Sequence, residues 1–194
     1  MKKLLLLIGF ASLTVNAQVP SYVPTNGLVG YWPFKGNAND LSGNNNNGTN
    51  NGATLTNDRF DNANSAYLFN GTTNYIEIAH SASQNYTGGQ SVSFWIYRTG
   101  MIPAGGDQNH ILSKGAQLFS GQNIWAGDSN NYIYYHYING NYNTSNDCST
   151  AQNSFSSNNW LHSVVTNDLS NIKLYLNGSL VQTCPISNPL TTLD

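Results

Sequence analysis

Charge is what this 194-residue sequence has least of. Only 8% of its residues are Asp, Glu, Lys or Arg, against about 25% in ordinary soluble domains. There is one glutamate, Glu77, and the remaining acids are scattered aspartates: Asp40, Asp58, Asp61, Asp107, Asp128, Asp147, Asp168 and Asp194. Glycoside hydrolysis needs two cooperating carboxyl groups, and no acid lies within two positions of Glu77. A Gly-x-Ser-x-Gly elbow is absent, and His80, His110, His136 and His162 show no His-Glu-x-x-His spacing. The expectation is therefore a protein that is not an enzyme. The few basic residues are dispersed, which speaks against nucleic acid, because phosphate binding needs clustered Lys and Arg. Only one apolar run is of any length, and it is the N-terminal one. Lys2-Lys3, then Leu4 to Leu13, then Val15-Asn16-Ala17 read as a secretory signal over residues 1–17, cleaved before Gln18. That run is short for a membrane span, so no span is expected after cleavage.

Cysteine is scarce as well. Cys148 and Cys184 are the two present, and export to an oxidising compartment makes a disulfide the default reading. Closing that loop is worth roughly 3–4 kcal/mol in the chain-entropy view. Two free thiols are the alternative. A metal pair is weaker, because neither Cys has a second Cys or a His at ligand spacing.

What the sequence has in quantity is Asn, Gly, Ser, Thr and aromatics, the last at 12%. Short period-2 runs alternate with turn residues every eight to twelve positions, roughly, and no sustained 3.6-residue period occurs; that is the pattern of an all-β sandwich. A Pro-containing lead-in, residues 18–26, precedes a domain over 27–194. Leu28 to Phe34 reads as a strand, limited by Pro33 to an edge or an end. Gly36 to Asn57 reads as one long loop. Ala66–Asn70 and Tyr75–Ala79 read as a hairpin-like pair. In Ser91–Arg98, Val92, Phe94 and Ile96 alternate with Ser93, Trp95 and Tyr97, and two largely apolar faces predict a central buried strand with Trp95 in the core. Short strands are expected at 110–113, 117–120, 123–126 and 132–138, and a polar loop at 139–157. Asn159–Thr166, Ile172–Leu176 and Ser179–Cys184 complete the set, the last two joined by the Asn177-Gly178 turn.

Gly27-Leu28-Val29-Gly30-Tyr31-Trp32-Pro33-Phe34, Gly36-Asn37-Ala38-Asn39-Asp40-Leu41-Ser42-Gly43 and Ala66-Tyr67-Leu68-Phe69-Asn70-Gly71 occur in order. So do Ser91 to Ile96, Trp160 to Thr166 and Lys173 to Gly178. Together they resemble a laminin-G-like, concanavalin A-like lectin/glucanase domain of the type common in secreted proteins of Bacteroidetes-like bacteria. The resemblance implies a two-sheet antiparallel jelly roll and a structural calcium ion. It also implies closing strands with an acidic pair beyond Asp194, so the sandwich is expected to lack its last strands. Asp40 matches the metal-ligating Asp of that family's Asp-x-Ser-Gly block; Ser42, Asn45 and Asn47 are neighbouring oxygen donors. The competing reading of Asp40 is an Asx-turn acid that caps main-chain donors. Trp160 and His162 fall in a block that is structural in the family.

The expected function is a non-catalytic recognition module, secreted or on the cell surface, that binds a glycan or a cell-surface protein. An accessory domain of a polysaccharide-degrading enzyme and a structural spacer of a surface adhesin are the alternatives. Tyr132, Tyr134 and His136 share one strand face, and Ile133, Tyr135 and Tyr137 the other. Core and ordinary strand surface account for these tyrosines as well as a sugar platform does. Trp32 and Trp125 both sit near loops. Trp125, Tyr132 and Tyr134 are the candidate ligand contacts.

Overall fold

The computed structural model describes residues 18–85, 88–99, 109–114, 121–126, 131–138 and 145–187. The leader, the expected strand at 117–120 and the loop at 100–107 lie outside these residues. The chain divides into two compact units. One gathers the residues up to Asp58 with Asn62–Phe69 and Asn74–Ala79; the other gathers Arg59–Asp61, Asn70–Thr73 and the chain from His80 onward. No helix among the described residues is long and apolar enough to cross a membrane.

The first unit holds β1 (Gly48–Asn51), β2 (Thr54–Thr56), β3 (Ala66–Leu68) and β4 (Tyr75–Ile78). They pair β1 with β4 and β2 with β3, both antiparallel. Three expectations are corrected here. The stretch 36–57 is not one loop, because β1 and β2 lie within it. The 66–79 region is not a hairpin, because β3 and β4 each find a partner upstream. Leu28 to Phe34 forms no strand. Its main chain bonds instead to side chains of the following loop, and Phe34 has a φ of 56°, which ends any extended run.

The second unit is the sandwich. Its strands are β5 (Gln90–Tyr97), β6 (Asn109–Lys114), β7 (Gly121–Ala126), β8 (Ile133–Ile138), β9 (Ser145–Ser149), β10 (Trp160–Asn167), β11 (Asn171–Leu176) and β12 (Ser179–Pro185). They form two four-stranded antiparallel sheets, ordered β12-β11-β10-β5 and β6-β7-β8-β9. Between them lies the core. Ile124, Ile133, Tyr135 and Cys148 come from one sheet, and Leu161, Val165, Ile172, Leu174 and Leu176 from the other. Each fully buried aliphatic side chain contributes roughly 1.5–3 kcal/mol. The hydroxyl of Tyr135, 1% exposed, accepts a hydrogen bond from Gln90 Nε2 at 3.1 Å, so the ring is buried without stranding its oxygen.

The Asn177-Gly178 turn joins β11 to β12 as expected. Both residues have positive φ, 47° and 82°, as the favoured two-residue hairpin turn requires. Asn177 also fastens β10: its Oδ1 accepts the His162 N–H at 3.1 Å. Two further corrections concern strands. The polar stretch 139–157 contains β9, which carries Cys148. β5 is not central; it stands at the end of its sheet among the described strands, with Val92, Phe94 and Ile96 against the core and Ser93, Trp95 and Tyr97 outward. Cys148 on β9 and Cys184 on β12 are disulfide-bonded, a covalent tie between the two sheets.

Candidate functional site

Asp40 lies in the first unit and is 8% exposed. Its Oδ1 accepts the N–H groups of Tyr31 and Ser42, both at 2.8 Å. Its Oδ2 accepts the Ser42 hydroxyl at 2.8 Å and the Asn46 N–H at 3.0 Å. Burial pushes the carboxyl pKa up, but these four donors outweigh it and hold the group below its ordinary value. Asn47 Oδ1 in turn accepts the Asp40 N–H at 2.9 Å. Asn45 is exposed with a φ of 59°. Asn46 and Asn44 reach back to the segment expected as a strand: Asn46 Nδ2 donates to Val29 O at 2.8 Å and Asn44 Nδ2 to Leu28 O at 2.8 Å. Trp32 Nε1 donates to Asn46 O at 2.8 Å. The loop thus takes the place of a β-partner for residues 28–32.

A carboxylate has about four lone-pair directions, and in this geometry all four of Asp40 meet N–H or O–H donors. Calcium needs six to eight oxygens turned toward one point. Ser42 Oγ accepts from the N–H and Nδ2 of Asn44, and Asn47 Oδ1 accepts the Asp40 N–H, so in this geometry these oxygens serve the loop's own donors, the Asx-turn arrangement. Among the described residues no three His, Cys, Asp or Glu side chains cluster at metal-binding range.

The second unit presents a shallow cavity of about 210 Å³ lined by Tyr132, Tyr134, Ser149, Thr150 and Gln152. Two of the three residues singled out from sequence meet there. β8 alternation puts Ile133 and Tyr135 in the core and leaves Tyr132, Tyr134 and His136 outward. The β8–β9 register sets Ser149 opposite Tyr134 and Asp147 opposite His136. Asp147 links this row: its Oδ1 lies 2.6 Å from His136 Nδ1, and it accepts a hydrogen bond from the Tyr134 hydroxyl. Burial first, then that bond and the nearby Asp147 charge, raise the Tyr134 pKa, so the phenol stays protonated. Its ring stacks near His136, with centroids 6.2 Å apart. Thr150 closes the corner, its Oγ1 accepting the Ile133 N–H at 3.0 Å and lying 2.7 Å from Ser154 Oγ. Trp125, the third residue, stands opposite Tyr134 in the β7–β8 register; its side chain lies outside the described residues.

A second outward aromatic group lies on the other sheet, and sequence reasoning missed it. Trp95, expected in the core, is 43% exposed. It stacks on His162, its β10 register partner, with centroids 4.9 Å apart and planes at 21°. Tyr97 packs on Trp160 in the next row at 5.5 Å. The Arg59 guanidinium lies 4.3 Å from the Trp95 ring and 4.2 Å from Phe60. The signal available in sequence was the β5 alternation, which sets Trp95 with Ser93 on the non-core side.

His162 Nε2 is 2.8 Å from Ser93 Oγ. Burial of the ring, then the Arg59 charge, keep its pKa below 6.5. A histidine so depressed is harder to protonate folded than unfolded. Its contribution is therefore intact at neutral pH and is lost as pH falls below 6.5, levelling off once the folded form also takes the proton. Unfolding midpoints measured against pH should fall on the acid side of 6.5 less steeply in His162→Gln than in the wild type. Parallel curves for the two proteins would show that His162 does not contribute.

A family model described as the concanavalin A-like lectin/glucanases superfamily matches residues 70–194. The chain belongs to that superfamily. The match takes in every strand of the sandwich unit, and the superfamily's all-β antiparallel architecture agrees with the two sheets described above. Among solved structures, an S-layer domain-containing protein of Clostridium thermocellum (residues 221–444) is similar at 18% identity. The superposition covers 84% of this chain and 75% of that one, with a TM-score of 0.49. No curated protein matches.

Proposed function

We propose that this superfamily member is a non-catalytic glycan-recognition module of a secreted or cell-surface protein, and that its ligand seats against Tyr132 and Tyr134. The observation that carries the reading is the cavity on the outer face of β8 and β9. Two tyrosine rings offer flat apolar faces for a pyranose, and Ser149, Thr150 and Gln152 offer hydroxyl and amide groups for its oxygens. Rings with a polar tip serve such wet, half-apolar contacts well. The cavity is smaller than the roughly 300–1,000 Å³ that encloses a drug-sized molecule, which suits one sugar unit of a chain. The signal-like leader and the low-charge Asn/Ser/Thr surface support an exported setting. The absence of a paired-acid motif in the sequence supports binding without hydrolysis. The structural calcium ion that the resemblance implies at Asp40 is a separate question, which the response of the unfolding midpoint to EDTA decides.

The test is retention of the mature chain on a panel of polysaccharides, a β-glucan, a xylan and a mannan, alongside Tyr132→Ala and Tyr134→Ala. The expected result is binding to at least one polymer and a loss of roughly tenfold or more in each variant, as for a central aromatic contact. Release of reducing ends would favour the enzymatic alternative, and no retention by a folded chain would favour the spacer.

A further inference from the structure

We propose that the outer face of the β5–β10 pair is a second ligand surface, fitted to a carboxylate-bearing polysaccharide, with Arg59 as its anion-binding group. The face is separate from the Tyr132–Tyr134 cavity, since the two lie on the outer sides of different sheets of one sandwich.

Three observations converge. Trp95 and Tyr97 are each 43% exposed and Phe60 is 67% exposed, an unusual amount of aromatic surface in one place. They are contiguous: β5–β10 pairing puts Trp95 beside His162 and Tyr97 beside Trp160, and Arg59 joins Phe60 to Trp95. Arg59 itself is exposed and has no acid partner among the described residues. The ion pairs among the described residues are His136–Asp147 and Lys173–Asp168, neither of which involves it.

Two rings hold the guanidinium in place, so less rotamer freedom is lost when its planar fork meets a carboxylate. A forked, charge-assisted contact is the geometry guanidinium forms best. The rings alongside present flat faces to sugar C–H surfaces, and the outer face of a sheet suits an extended polymer. A neutral glycan would leave the cation unused, and an acidic peptide would leave most of the aromatic surface unused. A uronate chain uses both. The protein carries a formal charge of −2, so general attraction to a polyanion is unfavourable and retention must come from a local site.

The experiment is affinity electrophoresis of the mature chain in gels containing polygalacturonate or, as the uncharged control, dextran. The variants are Arg59→Gln, Arg59→Lys and Tyr134→Ala, each first shown by its unfolding midpoint to be folded. The expected result is retardation by polygalacturonate and not by dextran. Arg59→Gln should weaken it roughly tenfold or more, as befits a charge-assisted bidentate contact. Arg59→Lys, which keeps the charge and loses the fork, should fall between, and Tyr134→Ala should match the wild type. Unretarded wild type would overturn the proposal, as would an Arg59→Gln variant that binds unchanged. Competition by polyglutamate as strong as by galacturonate oligomers would overturn the glycan assignment. Loss in Tyr134→Ala equal to that in Arg59→Gln would show that polygalacturonate uses the cavity instead. Because the cavity is tested with neutral polymers, either surface can fail without the other.

Discussion

Asp40→Ala is expected to destabilise the protein by on the order of 3 kcal/mol or more, lowering the unfolding midpoint by roughly 10 °C. The substitution strips the acceptor from three main-chain N–H groups, those of Tyr31, Ser42 and Asn46, and from the Ser42 hydroxyl. Main-chain donors left without partners in a buried setting each cost about 1–3 kcal/mol, and water entering the vacated space recovers part of this. Asp40→Asn should lose less, because it keeps one acceptor oxygen while turning an NH₂ toward two donors. The charge matters too. Donor bonds that overcome burial hold the Asp40 pKa below 3.8, so its contribution is full above that value and disappears as pH falls through the folded pKa. The acid limb of the stability curve should therefore flatten in Asp40→Asn. A hydrogen-bond hub predicts the same Asp40→Ala loss in EDTA as in calcium. If EDTA alone lowered the wild-type midpoint as far as the substitution does, a cation would hold this loop and the hub account would fail.

Breaking the Cys148–Cys184 bond should have an effect of similar size. The two residues are 36 positions apart, and cross-linking a loop of that length restricts the unfolded chain by roughly 3–4 kcal/mol. The bond also joins β9, the outermost described strand of its sheet, to β12, the outermost of the other. Cys148 is 2% exposed, so reduction in the native state should be slow and become fast on unfolding. The Cys148→Ala, Cys184→Ala double variant should melt roughly 10 °C lower than the wild type and be indifferent to reductant. Two titratable thiols in the untreated native protein, with a midpoint that reductant leaves unmoved, would contradict the tie.

These two features were legible in the sequence to different degrees. The cysteine pair followed from compartment and count, and Asn177-Gly178 with its flanking alternation placed the β11–β12 hairpin. Strict alternation in 132–137 also grouped Tyr132 with Tyr134 on one face of β8, and burial of Ile133 and Tyr135 shows that the opposite face enters the core. Where reading failed, the structure uses interactions that period and propensity do not encode. Leu28–Phe34 has the composition of a strand, but Asp40, Asn44 and Asn46 satisfy its main chain from a loop 9 to 17 residues on. β9 was hidden because Ser145–Ser149 is polar apart from Cys148, as a strand at the end of a sheet can be. The two largely apolar faces of Ser91–Arg98 predict a central strand with Trp95 in the core; a guanidinium from position 59 and an imidazole from position 162 cover part of the indole instead. Neither neighbour is visible from the local sequence.

The measurement that bears most directly on the central claim is a map of backbone amide shifts, by NMR on the isotopically labelled mature chain, on titration with oligosaccharides of whichever neutral polymer retains the protein. Recognition at the tyrosine cavity predicts saturable shifts concentrated at residues 132–136 and 147–152, with the Asp40 loop and the β5–β10 face unmoved. Saturable shifts that leave 132–136 and 147–152 silent would contradict the account.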